Sequence, residues 1–195
     1  MQYKGIELEG TDKKVAQSHS RFFEKDEGTA WIDRLLATDK GVLDRAQFHE
    51  ASALSSVLNL NYQVCNGGVS QYFLNGYDEY RKPCHEQDVE QLDIHEQVKM
   101  LERLHVFGCE VFPNRTDENQ TVAKVAKRLG TVKSDYESCR EHYQNYCDDE
   151  DYYYCDEEAA RVYDDFDNLY YAVNRYIETL CETYAQYLCK SYGIA

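Results

Sequence analysis

Proline is nearly missing from this chain of 195 residues: only Pro83 and Pro113 occur. Proline removes a backbone donor and clashes with the preceding helical turn, so its scarcity leaves long helices open almost everywhere. Long apolar runs are missing too. No window approaches the roughly 18 apolar residues that a membrane span needs, and Met1 to Gln17 has no apolar stretch of the kind a signal peptide carries. A cytoplasmic protein is expected, with no membrane contact. Positive charge is also in short supply. Lys and Arg number 21 against 36 Asp and Glu, a net charge of −15, and the basic residues are scattered. Direct binding of nucleic acid is disfavoured by that balance.

Several chemistries lack their signatures. No Cys-x-x-Cys pair occurs, although the chain has eight cysteines. Without a secretory leader these read as buried, reduced thiols that behave as small hydrophobes. Cys139 and His142 stand three residues apart, close enough to share a metal on a helix, but the short paired spacing of a structural zinc site is missing. His49-Glu50, His85-Glu86 and His95-Glu96 are not completed to a zinc-protease motif and read as surface pairs. Asp148-Asp149-Glu150-Asp151 lacks the central Gly and the terminal Glu of a calcium loop. There is no phosphate-cradling Gly-rich loop, no nucleophile elbow and no Cys–His nucleophile pair. No catalytic residue, metal or cofactor is assigned.

What the chain does have is concentrated acid mixed with tyrosine. Asp135 to Asp167 holds thirteen acidic residues against Arg140 and Arg161, a net charge of −11 in one sixth of the length. Seven of the eighteen tyrosines lie there as well. An acidic run poor in aromatics would be a solvated coil. With rings interleaved, the same acid can sit on a folded helix whose aromatic side is anchored. A dense, rigid carboxylate surface repels nucleic acid and attracts the proteins that bind it.

The apolar spacing predicts an all-α fold, a compact domain of about six to eight helices with a long C-terminal helix. Residues 1–28 are read as an N-terminal arm or leading element, and 29–195 as a single helical domain. Thr29 is a candidate cap for a short helix carrying Trp31, Leu35 and Leu36. A helix from about Val42 to Cys65 ends at Asn66-Gly67-Gly68, where positive φ is cheap. A short aromatic helix follows and stops at Asn75-Gly76. Gln87 to Phe107 reads as a helix closed by Gly108. Phe112 to Asn119 reads as a loop. Val122, Val125, Ala126 and Leu129 mark a helix that Gly130 stops, and Ser134 or Asp135 caps the next. From Ala159 to Leu188 the apolar residues step by threes and fours as one stripe some eight turns long.

One stretch is more specific than spacing. Asn66-Gly67-Gly68-Val69-Ser70-Gln71-Tyr72-Phe73-Leu74-Asn75 resembles the Asn-Gly-Gly-aromatic-x-Gln-aromatic-Phe-x-Asn signature of the DMP-nineteen-type family of DNA mimics, with Val69 in place of an aromatic. Val106-Phe107-Gly108 and the closing Phe166-Asp167-Asn168-Leu169-Tyr170-Tyr171 are weaker echoes, so the resemblance spans about residues 40–190. It implies an all-α protein, often a homodimer, whose acidic surface occupies the DNA-binding face of a regulator. The signature itself reads as structural: glycines for a tight corner, Gln71 for backbone groups there, Tyr72 and Phe73 for core.

These lines converge on a non-enzymatic acidic inhibitor that imitates nucleic acid on the basic surface of a transcription regulator, a restriction enzyme, another nuclease or a CRISPR effector. An anti-defence role for a phage or mobile element fits such a protein, acting in the bacterial cytoplasm or that of the infected host. The partner-binding residues are expected to be Glu137, Glu141, Asp148, Asp149, Glu150, Asp151, Asp156, Glu157, Glu158, Asp164 and Asp165, with Tyr152 and Tyr153 as aromatic anchors. Asp167 extends the array. Two alternatives remain open at this point: an immunity protein that neutralises a basic nuclease toxin, and a helical metal-dependent hydrolase.

Overall fold

A computed structural model describes residues 1–9, 31–38, 41–82, 89–144 and 152–194. Six helices and one small hairpin make up the described regular structure: β1 (Gln2–Tyr3), β2 (Ile6–Glu7), α1 (Trp31–Leu36), α2 (Arg45–Leu74), α3 (Ile94–Val111), α4 (Thr116–Gln144), α5 (Tyr152–Tyr171) and α6 (Asn174–Tyr192). The predicted all-α class is what forms.

The hairpin was not visible in the sequence, because two-residue strands are too short to alternate. Gln2 pairs with Glu7 and Tyr3 with Ile6. The turn between them uses positive φ at Lys4 (47°) and Gly5 (80°), the backbone twist that two-residue hairpins favour. Its inward residue Tyr3 is buried and meets Phe107 and Tyr187 edge-on, with ring centroids 4.7 and 4.8 Å away.

Helix α2 starts on a capping box. The Asp44 carboxylate accepts from the backbone N–H of Ala46 and Gln47 at 2.8 and 2.9 Å, and the Gln47 side chain accepts from the Asp44 N–H. This satisfies donors that a helix start otherwise leaves unpaired. The helix then kinks at Gly67-Gly68, as predicted, and resumes through the signature aromatics to Leu74.

Four predicted boundaries move. Gly108 does not close α3, which runs on to Val111 and begins only at Ile94, behind its cap Asp93. Gly108 is there for close approach: a Cβ would stand 2.3 Å from the Asn119 amide oxygen and 3.0 Å from a Leu180 methyl. Asn119, expected in a loop, is buried in α4 and accepts from the Tyr176 hydroxyl at 2.7 Å. Gly130 does not stop α4 either. One glycine costs a helix only about 1 kcal/mol, and the buried row Val122, Val125, Ala126, Leu129 and Val132 carries the helix across it.

The long closing stripe is shared between two helices. It divides at Ala172–Val173, where Val173 donates to the Tyr170 carbonyl and takes φ −134°. The buried positions Phe166, Tyr170, Val173, Tyr176, Ile177, Leu180, Tyr184 and Leu188 stay in phase across the break, so their spacing alone hides it. Helix α6 then runs nineteen residues through the core, against α1, α2 and α3.

Candidate functional site

Helices α4 and α5 form the most extensively paired helical unit. Only seven residues separate them; at about 3.5 Å per residue these cannot return the chain to the far end of α4, so the pair runs antiparallel. Tyr136 of α4 stacks on Tyr163 of α5, with centroids 4.2 Å apart and planes 7° from parallel. Tyr163 also lies 5.8 Å from Phe73, which ties the stack to the signature helix segment. Burial pushes the Tyr163 hydroxyl up to about 12, helped by Tyr136, Glu137 and Asp78.

The ring stack fixes a level on the helix pair. Glu137 follows Tyr136, and Asp164 and Asp165 follow Tyr163, so carboxylates of both helices stand within about a turn of the same height. Glu137, Glu141, Asp164 and Asp165 are all exposed. Glu137 and Glu141 are four apart on one helical face, roughly 5–6 Å between Cβ atoms. Of the other expected contact residues, Tyr152, Tyr153, Asp156, Glu157 and Glu158 belong to the first two turns of α5, with side chains outside the described residues. Asp148, Asp149, Glu150 and Asp151 lie outside the described residues altogether.

Some acids of this region are engaged within the fold. Asp135 pairs with Arg128 in the preceding turns of α4. Asp167 turns inward instead of extending the array. Its carboxylate accepts from the Val69 N–H at 2.7 Å and so caps the second segment of α2, directly after the glycine corner. A Cβ on Gly68 would stand 2.3 Å from that carboxylate, and Gly68 has φ 76° and ψ 177°, a region essentially reserved for glycine. Burial raises the Asp167 carboxyl above its ordinary range; the Val69 N–H lowers it in part, and the charge of Asp164 pushes it up again.

The rest of the signature is structural, though not as read from sequence. Among the described residues Gln71 meets no backbone group through its side chain: its amide donates to the Gln63 side chain at 3.0 Å, and Asn75 donates to the same oxygen at 2.8 Å. Asn66 donates to the Tyr62 carbonyl. Tyr72 is fully buried and donates to Gln97 at 3.0 Å; Gln97 in turn donates to the carbonyls of Tyr77 and Leu92. Phe73 is only half-buried.

Two other sequence expectations change. Glu50 is not a surface pair with His49. It is a hub that accepts from Arg103 and from the hydroxyls of Tyr184 and Tyr192. Only some of the thiols are buried: Cys181 and Cys189 are, whereas Cys65 and Cys109 are exposed. Helix α3 also brings Cys109 to 3.5 Å from His105 one turn away. Among the described residues, no three His, Cys, Asp or Glu side chains converge as metal ligands would, and no helix is long and apolar enough to cross a membrane.

No curated protein and no solved structure matches the chain. The family described as DMP19-like protein does match, over residues 48–190, which takes in the glycine corner, the α4–α5 pair and nearly all of α6. The chain therefore belongs to the DMP19-like protein family.

Proposed function

We propose that this protein is a non-enzymatic inhibitor that imitates nucleic acid and occupies the basic DNA- or RNA-binding surface of a target protein. The observation that carries the reading is the α4–α5 pair: two antiparallel helices, locked by the Tyr136–Tyr163 stack, with Glu137, Glu141, Asp164 and Asp165 exposed on them. Duplex DNA presents about one charge per 1.7 Å of axis, and its binders are built to meet that field. Carboxylates held on a rigid helix pair offer Arg and Lys the same kind of partner, through charge-assisted hydrogen bonds. Membership of the DMP19-like family supports the reading. The target is a transcription regulator, a nuclease, or a restriction or CRISPR effector, and an anti-defence role follows for a protein carried by a phage or mobile element.

The test is capture of a basic nucleic-acid-binding protein from lysate at rising salt, with the wild type and with a Glu137→Gln, Glu141→Gln, Asp164→Asn, Asp165→Asn variant. The wild type should capture such a protein and release it as salt screens the contact. The variant should stay folded by circular dichroism and lose capture. Equal capture by both proteins would remove the acidic helix pair from the interface.

A further inference from the structure

On α3, Cys109 is exposed and His105, one turn earlier, is half-buried. The thiol sulfur and the imidazole Nε2 stand 3.5 Å apart. A hydrogen bond accounts for that contact, and a second chemistry fits the same span. Zinc takes thiolate sulfur at about 2.3 Å and imidazole nitrogen at about 2.0–2.1 Å. At a tetrahedral angle those bond lengths put the two donors about 3.5 Å apart. An ion can therefore replace the shared proton while the two side chains keep their separation. Thiolate with imidazole selects zinc over calcium and magnesium, which seek oxygen.

The surroundings favour a cation. Among the described residues, neither side chain has another hydrogen-bond partner. Glu102 and Glu110, both exposed, sit one turn before His105 and directly after Cys109. The cations of the neighbourhood are engaged elsewhere. Arg115, which comes near Tyr176 as Cys109 does, faces Glu118 at 3.8 Å and overlies the Tyr176 ring at 5.2 Å. On α3 itself, Lys99 is paired with Glu96 and Arg103 with Glu50. Glu102, His105, Val106 and Cys109 fall at i, i+3, i+4 and i+7, the spacing of one helical face. Val106 stands 53% exposed on it.

We infer that His105 and Cys109 form half of a zinc site, which the same two residues of a second copy of this chain complete. A structural zinc centre takes four protein ligands, and among the described residues one chain gathers only two here. A two-fold axis through the ion supplies the other two, because such an interface sets one patch against itself. The result is a centre of two cysteines and two histidines, with the α3 faces meeting at the metal and Val106 of each copy beside it. On binding, each thiol gives its proton to solvent and its sulfur lone pair to the ion; nothing is oxidised or reduced. Two thiolates balance the charge of the ion, so the centre is neutral. Without the ion, a net charge of −15 on each copy opposes association, which makes pairing through this face conditional on zinc. The inference does not rest on the acidic helix pair, since neither α4 nor α5 supplies a ligand, and the two surfaces can fail separately.

The probe is zinc chloride, titrated into the full chain with a phosphine reductant that keeps the thiols free. Calorimetry reads the stoichiometry and sedimentation the mass. One zinc should bind per two chains and double the sedimenting mass, and excess chelator should restore it. Cobalt(II) in place of zinc should give the visible bands of a tetrahedral centre together with a thiolate-to-metal charge-transfer band. His105→Ala and Cys109→Ser, each checked for fold by circular dichroism, should weaken zinc binding at least about tenfold and abolish the change in mass. Cys65→Ser removes another exposed thiol, one that meets Asn61 and Asn174 instead of a histidine, and should behave as wild type. One zinc per chain with no change in mass would overturn the shared centre. So would doubling that persists in chelator, doubling left intact in the His105 and Cys109 variants, or no binding up to about 0.1 mM zinc.

Discussion

Gly68 and Gly130 are the same residue under opposite constraints. At Gly68 the backbone lies in a glycine-only region and a Cβ would strike the Asp167 carboxylate. Gly68→Ala should cost about 2–3 kcal/mol in urea unfolding. At Gly130 the nearest neighbour of a Cβ is a Val98 methyl 3.9 Å away, so Gly130→Ala should stabilise by up to about 1 kcal/mol. Asp167 gives the pH dependence of the corner. Its folded carboxyl is raised above its ordinary value, so the folded state holds the proton more tightly than the unfolded state does. The associated stability is present below about pH 4 and is lost as pH rises through the folded value. Asp167→Asn keeps an oxygen for the Val69 N–H and does not titrate. Relative to wild type the variant should gain stability between about pH 3 and 6; urea titrations across that range would show a flat difference if the carboxylate were well solvated. The glycine corner was legible because positive φ is a local demand of the backbone. Asp167 and Glu50 were not, because the partner of Asp167 lies 98 residues away in the chain and those of Glu50 lie 53, 134 and 142 away.

At the scale of elements, the Tyr136–Tyr163 stack joins α4 to α5. A double-mutant cycle on Tyr136→Ala and Tyr163→Ala should return a coupling of about 0.5–1.5 kcal/mol. If the acidic pair works as a rigid array, the Tyr163→Ala protein should also capture its target less well with all of its carboxylates in place. Unaltered capture would mean that rigidity of the pair is unnecessary. Helix existence was readable from the three-and-four spacing of apolar residues, while boundaries were readable only where chemistry enforces them. Asn75 ends α2, beside a Gly76 of positive φ. Gly108 and Gly130 lie inside helices because one neighbour needs room and the other has a buried row on both sides of it. The division at Ala172–Val173 leaves the apolar phase undisturbed, so no window of sequence registers it.

For the whole molecule, charge acts in two directions. A net −15 strains the folded state by self-repulsion, and the same charge is what a basic partner meets. Raising sodium chloride from about 0.05 to 0.5 M, which shortens the screening length severalfold, should therefore raise the melting temperature of the free protein and weaken target capture at once. A melting temperature that falls with salt would show internal ion pairs such as Lys133–Asp78 to outweigh the repulsion.

The last helix also binds the first residues of the chain. Glu182 accepts from the N–H groups of Trp31 and Ile32, Gln186 from that of Glu9, and Lys190 reaches the Glu7 carbonyl. Order of synthesis therefore runs against order of assembly. While α6 is still within the ribosome, the hairpin and α1 have emerged without the groups that hold them, and the central core lacks one wall. Closure of the core must await the emergence of α6, and a chain cut short before that helix should be cleaved by proteases more readily than the whole.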